Sequence, residues 1–285
     1  MFIRAHQEEF RIRSMCRVLA VSHSGYYAWR DRSLSRRAQS NRELVVEIGR
    51  VHAAARGVYG ALKTWQQLRV QGIRCGQHRV ARLRRLHGIQ ATRRRRFKVT
   101  TPSRRGQWIA PDLVHRRFAT PAPNRVWVGD VTCVATREGW LYVAVLIDLY
   151  SRKVVGWSMS DRINQTLVLR ALHMAIVTRQ PAPGLIHHTD RGAIYTAQEY
   201  RTLLAAHGMA ASMGRTGDCY DNAVAESFFS TVKNELTIEQ RYASRRDAQT
   251  ALFEYIEVFY NRQRIHQTLG YRSPQHVEEQ VLSLN

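Results

Sequence analysis

The chain has 285 residues, with 44 lysines and arginines against 22 aspartates and glutamates, for a formal charge of +22. That length supplies one large domain or two modest ones with ample material for a core. Cys16, Cys75, Cys133 and Cys219 are scattered with no C-x-x-C pair, which argues against a disulfide framework or a cysteine-rich zinc site and for a reducing compartment. No apolar run approaches the roughly 20 residues of a spanning helix, and the start, MFIRAHQEEFRIRSMC, lacks the apolar centre of a secretory leader. The expectation is a cytoplasmic protein with no membrane partner.

The location of the charge says more than its total. Residues 1–126 hold 28 basic and 6 acidic side chains, whereas residues 127–285 hold 16 of each. A basic half joined to a neutral half reads as a polyanion-binding arm on a globular unit. Only four of the basic residues are lysines, so a coding bias toward arginine contributes, but such a bias does not remove acids from the first 126 positions.

In chain order, residues 1–38 read as an N-terminal helical and aromatic segment. Within it VLAVSHSGYYAWRDR (18–32) suggests a helix end, a turn at Ser24-Gly25 and an aromatic cluster. Residues 39–96 read as a small all-α unit. Leu44, Val45, Ile48 and Val51 recur at helical spacing, Leu62, Trp65 and Leu68 share a face that stops at Gly72, and Val80, Leu83 and Leu86 or His87 point inward before Gly88. Arg79, Arg82 and Arg85 stand three apart on the other side of that last helix. Two short helices, the second arginine-striped, suggest a helix-turn-helix that contacts DNA. A helical hairpin with a solvated basic face reads equally from the same spacing. Arg93, Arg94, Arg95 and Arg96 then open a basic linker over 97–123, whose Pro, Ser and Gly content and charge suit a segment tracking a phosphate backbone.

From residue 124 the pattern changes. RVWVGDVTCVAT, WLYVAVLIDLY and KVVGWSMS are β-rich runs, NQTLVLRALHMAIVTR is helical, GLIHHTD is a short strand, AQEYRTLLAAHG a helix and MAASM another strand. DNAVAESFFSTVKNEL and RRDAQTALFEYIEVFYNRQR follow as helices. The order β-β-β-α-β-α-β-α describes a mixed five-stranded sheet with flanking helices, an α/β unit over 124–240, with a C-terminal helix and tail over 241–285.

Three acids in that unit occupy positions where burial needs a reason. Asp130 lies inside a strand, Asp190 ends another, and Glu226 rides a helix that begins near Asp221. A carboxylate inside an apolar strand is costly unless paired or bound to a cation, so three of them suggest a divalent-metal site acting on phosphate. At about 100° per residue, Asn222, Glu226 and Lys233 share one side of their helix, and Lys233 would meet a phosphate as a point charge, unless it is an ordinary surface lysine. His187 and His188 are adjacent in a strand and so point to opposite faces. That argues against a histidine zinc site, while His188 alternates onto the side of Asp190 and could approach a phosphate. Arg191 is a candidate phosphate contact. Asp148 reads as structural, bonding the Ser151-Arg152 turn.

The words VWVGDVTCV, LIDLYSRKVVGW, HTDRGAIY, CYDNAVAESFFSTVKNEL and YNRQRIHQTLGYRSPQH resemble the OrfB product of bacterial insertion sequences of the IS-three family, over nearly the whole chain. The spacing of Asp130, Asp190 and Glu226, with 35 residues between the last two, is similar to the DDE arrangement of retroviral integrases. The resemblance implies an RNase H-like catalytic core in which Asp130, Asp190 and Glu226 hold two Mg²⁺ ions, with Mn²⁺ as a substitute. It implies cleavage of insertion-sequence ends and joining of the 3′-hydroxyl to target DNA, with no covalent protein–DNA intermediate. It further implies a bacterial, nucleoid-associated protein that works as a homo-oligomer on paired ends, together with OrfA or as an OrfAB fusion. The sequence departs from the family at Gly192-Ala193-Ile194-Tyr195, where Gly-Ser-Gln-Tyr is usual, which removes two polar side chains beside the second aspartate.

Overall fold

The computed structural model describes residues 2–92, 108–116, 119–214, 223–236 and 242–283. It opens with three short helices, α1 (Phe2–Ala5), α2 (Ile12–Val18) and α3 (His23–Arg30), gathered around Ile3, Met15, Cys16 and Tyr26. Ser24 and Gly25 lie within α3, so the turn expected there falls earlier, between α2 and α3, because Ser22 caps the helix by accepting from the Gly25 amide at 3.2 Å.

The second unit is α4 (Arg36–Ala54), α5 (Ala61–Val70) and α6 (Gln77–Leu86). Leu44, Ile48 and Val51 meet Leu68, Val80 and Leu83 in its core, as the helical spacing predicts. Leu86 and His87 turn outward instead, since the core closes one turn earlier, at Leu83. Arg84 is the surprise within α6. It is buried and donates to Thr64 Oγ1 and the Tyr59 carbonyl, both at 2.9 Å, tying α6 to α5 and the turn before it.

The sheet contains β1 (Val126–Thr136), β2 (Gly139–Asp148), β3 (Val154–Ser160), β4 (Ile186–Thr189) and β5 (Ala210–Met213), in the order β3-β2-β1-β4-β5. The first three are antiparallel, and β4 and β5 join β1 in parallel. Alternation along β1 and β2 divides the core in two. Val126, Val128, Val143, Val145 and Ile147 face α10 (Ala223–Leu236) and α11 (Arg245–Phe253), which continues through the wider π-helical turns of Glu254–Tyr260. Trp127, Ala144, Leu146 and Val155 face α7 (Gln165–Arg179), α8 (Ala193–Thr196) and α9 (Gln198–Ala206). The mixed sheet with helices on both faces and the all-helical region before it are as expected.

Two expected boundaries differ. Residues 108–114, read as linker, pack on the sheet unit: Ala110 and Val114 are buried in its two clusters, and Met213 N–H bonds the Pro111 carbonyl. The C-terminal segment is likewise part of the core, with Leu252, Tyr255, Ile256 and Phe259 among the sheet residues, and it ends in α12 (Pro274–Leu282). Ile265 from that segment inserts into the helical unit's core, and its amide donates to the Tyr59 hydroxyl at 2.8 Å. Among the described residues, no helix is long and apolar enough to cross a membrane.

At Gly156 of β3 the sheet and α7 lie close together. A Cβ there would overlap the Ala171 carbonyl oxygen and come within 2.7 Å of Ala175 Cβ on α7. Neither obstacle is a flexible side-chain end, so Gly156→Ala should cost about 1–3 kcal/mol, as overpacking does, measured by urea unfolding. A stability equal to the parent's would show that α7 does not sit this tightly on β3.

Candidate active site

The β1–β4 register places the two aspartates. Val126 pairs with Ile186, Trp127 with His187 and Val128 with His188. Continued two residues further, the same register sets Asp130 level with Asp190 on neighbouring strands, which lie about 4.7–4.9 Å apart in a sheet. Gly129 on β1 leaves room for the neighbouring His187 ring: a Cβ there would stand 2.8 Å from it. Asp130 shares the face of Val126 and Val128, the side covered by α10. Glu226 lies in the first turn of α10, and Ala225, Phe228, Phe229, Val232 and Leu236 seat that helix on the sheet.

The electrostatics join the three acids. Asp130 is half-buried, and its carboxyl is pushed up to about 8. Burial of the carboxylate is the first cause, followed by the Asp190 charge, with Glu226 adding to it; the Val131 amide, donating at 2.8 Å, and Lys233 oppose the shift. Asp190 is raised by burial against the Gly192 amide, which donates at 3.0 Å, and Glu226 is raised by burial. Asp130 thus feels both other acids and Lys233. The buried Tyr195 phenol stands close enough to feel Asp130 and Asp190, and is held protonated by burial first and by those charges after it. Even so, among the described residues no three His, Cys, Asp or Glu side chains are drawn together as a ready metal cluster. Three like charges repel, and only a positive partner rewards closer approach.

The remaining candidates divide. Lys233, two turns after Glu226 on α10, faces the carboxylates. His188 is corrected: it is 1% exposed and its Nδ1 bonds Ser212 Oγ at 2.8 Å, so it braces β4 against β5 and is not placed to meet DNA. His187, on the opposite face as expected, bonds the Tyr200 hydroxyl at 2.7 Å. Arg191 commits Nε to the Gly214 carbonyl at 2.7 Å, tying together the chain beyond β4 and β5. Arg82 and Arg85 are exposed on α6, whereas Arg79 is half-buried and bonds Asn41 and Ser40 on α4, so the expected stripe of three is a pair. Asn222 and Arg93, Arg94, Arg95 and Arg96 lie outside the described residues. Asp148 is structural as read, accepting from the amides of Asn124, Tyr150 and Ser151.

The tail packs through Asn261 and Arg264, which are buried, while Arg262 is exposed. Asn261 clamps Val154 at the start of β3, accepting from its amide at 2.9 Å and donating to its carbonyl at 3.0 Å. Arg264 forms a two-pronged pair with Glu235 near the end of α10, at 2.7 Å and 3.0 Å, and Tyr255 donates to the same carboxylate at 2.6 Å. Arg264 and Glu235 are nearly enclosed, with side chains 6% and 11% exposed. The tail therefore anchors the helix that carries Glu226 and Lys233. Glu235 was not singled out in the sequence, because only the folded tail reveals its partner.

A helical unit followed by a mixed sheet, with acids on and just beyond its central strands β1 and β4, is the architecture of integrase-core polynucleotidyl transferases. The family models agree: "Integrase core domain" matches residues 120–219 and, in a second form, 207–274, and "HTH-like domain" matches 39–97. The insertion element IS600 uncharacterized 31 kDa protein of Shigella sonnei is 44% identical over 260 residues, covering 91% of this chain and 96% of the relative. Transposase InsF for insertion sequence IS3A of Escherichia coli K12 is 39% identical over 285 residues, or 99% of each chain. Among solved structures, the HTLV-2 integrase catalytic core in complex with magnesium aligns over 55% of this chain and 98% of that chain, at 18% identity and a TM-score of 0.44. The chain belongs to the IS3 family of insertion-sequence transposases, whose members are DDE polynucleotidyl transferases.

Two consequences can be measured. An aspartate whose folded-state carboxyl is raised loses stability as it is forced to ionise, from about pH 4, the ordinary aspartate value, through about 8. In chelator, Asp130→Asn should melt with the parent near pH 4 and above it at pH 9; a gap in Tm that ignores pH would contradict this. Removing one partner of the enclosed pair, as in Arg264→Ala, should cost about 3–5 kcal/mol, whereas Arg264→Met with Glu235→Leu should recover much of the loss. Equal losses in the single and double variants, by urea unfolding, would contradict the pairing.

Proposed function

We propose that this chain cleaves the ends of its own insertion sequence and joins the freed 3′-hydroxyl to target DNA, with Asp130, Asp190 and Glu226 as the catalytic carboxylates. One observation carries the reading: the Asp130 charge is opposed by Asp190 and Glu226 together, three acids from β1, the end of β4 and α10 acting on one place. The donor set suits a hard divalent cation, since every available ligand atom is a carboxylate oxygen and their mutual repulsion is relieved by positive charge. Asp130, Asp190 and Glu226 would hold the divalent ions, Mg²⁺ or Mn²⁺. Divalent ions bound there supply Lewis-acid activation of the attacking oxygen and stabilisation of the departing 3′-oxygen.

The protein's own groups do the positioning. Lys233 offers a positive charge to a DNA phosphate beside the carboxylates, and Asn222 and Arg191 extend that contact along the strand. Arg82 and Arg85, exposed on α6, and the arginines at 93–96 hold the duplex through its phosphates, with Arg79 bracing α6 against α4. Residues 39–96 thus serve as a DNA-binding domain and 97–107 as a basic connector to the catalytic unit. In this reading the chain works with OrfA, or fused to it, as a homo-oligomer on paired ends.

An end-cleavage and strand-joining assay on the element's terminal duplex, with OrfA supplied and Mg²⁺ or Mn²⁺ present, tests the reading. The parent should yield both nicked ends and joined product, and Asp190→Asn should lose both by at least a hundredfold, in line with removal of an essential electrostatic group (~10²–10³). Metal-dependent product that survives Asp190→Asn would overturn the assignment.

A further inference from the structure

The first 37 residues are absorbed neither by the catalytic reading nor by the helix-turn-helix match at 39–97. They nonetheless hold a sharply built element. At the end of α2 the Val21 amide bonds the Cys16 carbonyl at 2.9 Å and the Ala20 amide bonds that of Arg17 at 3.3 Å, with Ala20 left-handed at φ 54. That is a Schellman closure. One residue after Val21, Ser22 caps α3. Four residues, 19–22, therefore join two helices with both ends fixed, and Met15 and Cys16 of α2 pack on Tyr26 of α3. Two short helices on such a turn, with a shared apolar contact, form the supersecondary unit whose second helix enters the DNA major groove.

The surface agrees. On α3 only Tyr26 is buried; His23, Ser24, Gly25, Ala28, Trp29 and Arg30 are exposed, so the helix lies on its small core with its N-terminal half open. The His23 ring packs edge-on to Tyr27 at 4.9 Å, and Arg30 covers the same ring at 4.5 Å while paired to Asp31, which holds that face in one arrangement. Arg13 and Arg17, one turn apart and exposed on α2, flank it. From residue 11 to 37 there are seven arginines and one acid, Asp31.

We infer that residues 11–32 are a second helix-turn-helix, separate from the 39–97 unit, that binds double-stranded DNA. His23 and Ser24 at the start of α3 face base edges, and Arg13 and Arg17 contact phosphates. The chain then grips duplex at two places, and its binding site on DNA is correspondingly longer than one helical unit covers. Val18, Leu19, Val21 and Trp29 are also exposed, which a protein partner would bury, but the seven arginines favour a polyanion.

The test uses the full-length chain, in chelator so that only binding is read, on the terminal duplex of its own element and on an unrelated duplex of equal length. Arg13→Ala with Arg17→Ala should weaken binding to both duplexes alike and flatten the salt dependence of log K by about 2, near 0.9 per lost phosphate contact. His23→Ala with Ser24→Ala should shorten the hydroxyl-radical footprint and reduce any preference for the terminal duplex by roughly 5- to 150-fold, as loss of base contacts does. All four positions are exposed, and circular dichroism confirms that the variants fold. Unchanged affinity, salt slope and footprint in both variants would overturn the inference, as would variants that bind DNA normally but lose association with OrfA or with another copy of the chain. Because no cleavage is scored, such a failure leaves the carboxylate assignment standing.

Discussion

The structure depends on a repulsion that the fold maintains. Asp130 sits on β1, Asp190 follows the end of the parallel strand β4, and Glu226 rides the helix packed over β1, so Asp130 is a half-buried acid opposed by two others. Nothing about folding alone favours that arrangement, since burying a carboxylate beside like charge is costly. Such a cost persists where the surrounding structure overdetermines it. Here the β1–β4 ladder and the apolar seat of α10 both do so.

The same logic explains the tail. A helix that must present Glu226 and Lys233 to a repulsive centre needs an anchor beyond its own apolar face, and Arg264 supplies one by enclosing Glu235 near the far end. One residue later Ile265 enters the core of the helical unit and bonds Tyr59. A stretch of two residues therefore touches the helix that carries Glu226 on one side and the helical unit on the other. Arg56 of the helical unit also pairs with Glu254 of the π-helical segment, a second contact between the two units.

Much of this was legible in the chain. Alternating apolar residues gave each strand, because a half-buried strand must alternate, and the 3.6 period gave the helices from 165 to 253 for the same reason. Asp130 was legible because a carboxylate inside an apolar strand has few explanations. What escaped was set by tertiary partners. Arg84 lies among the arginines of α6 yet is buried, because Thr64 and the Tyr59 carbonyl accept from it. His188 reads as a neighbour of Asp190, yet Ser212 of β5 claims it. The turn of the N-terminal unit was placed at Ser24-Gly25, where small residues usually turn, but Ala20 makes the left-handed turn and Ser22 starts the helix.

The central claim is that Asp130, Asp190 and Glu226 act together on divalent cations. Electron paramagnetic resonance of Mn²⁺ titrated into the intact chain at neutral pH tests it most directly, with Asp130→Asn/Asp190→Asn/Glu226→Gln as the comparison. The account predicts a bound Mn²⁺ signal in the parent that the triple variant lacks. Equal binding by both proteins would place the metal elsewhere and contradict the account.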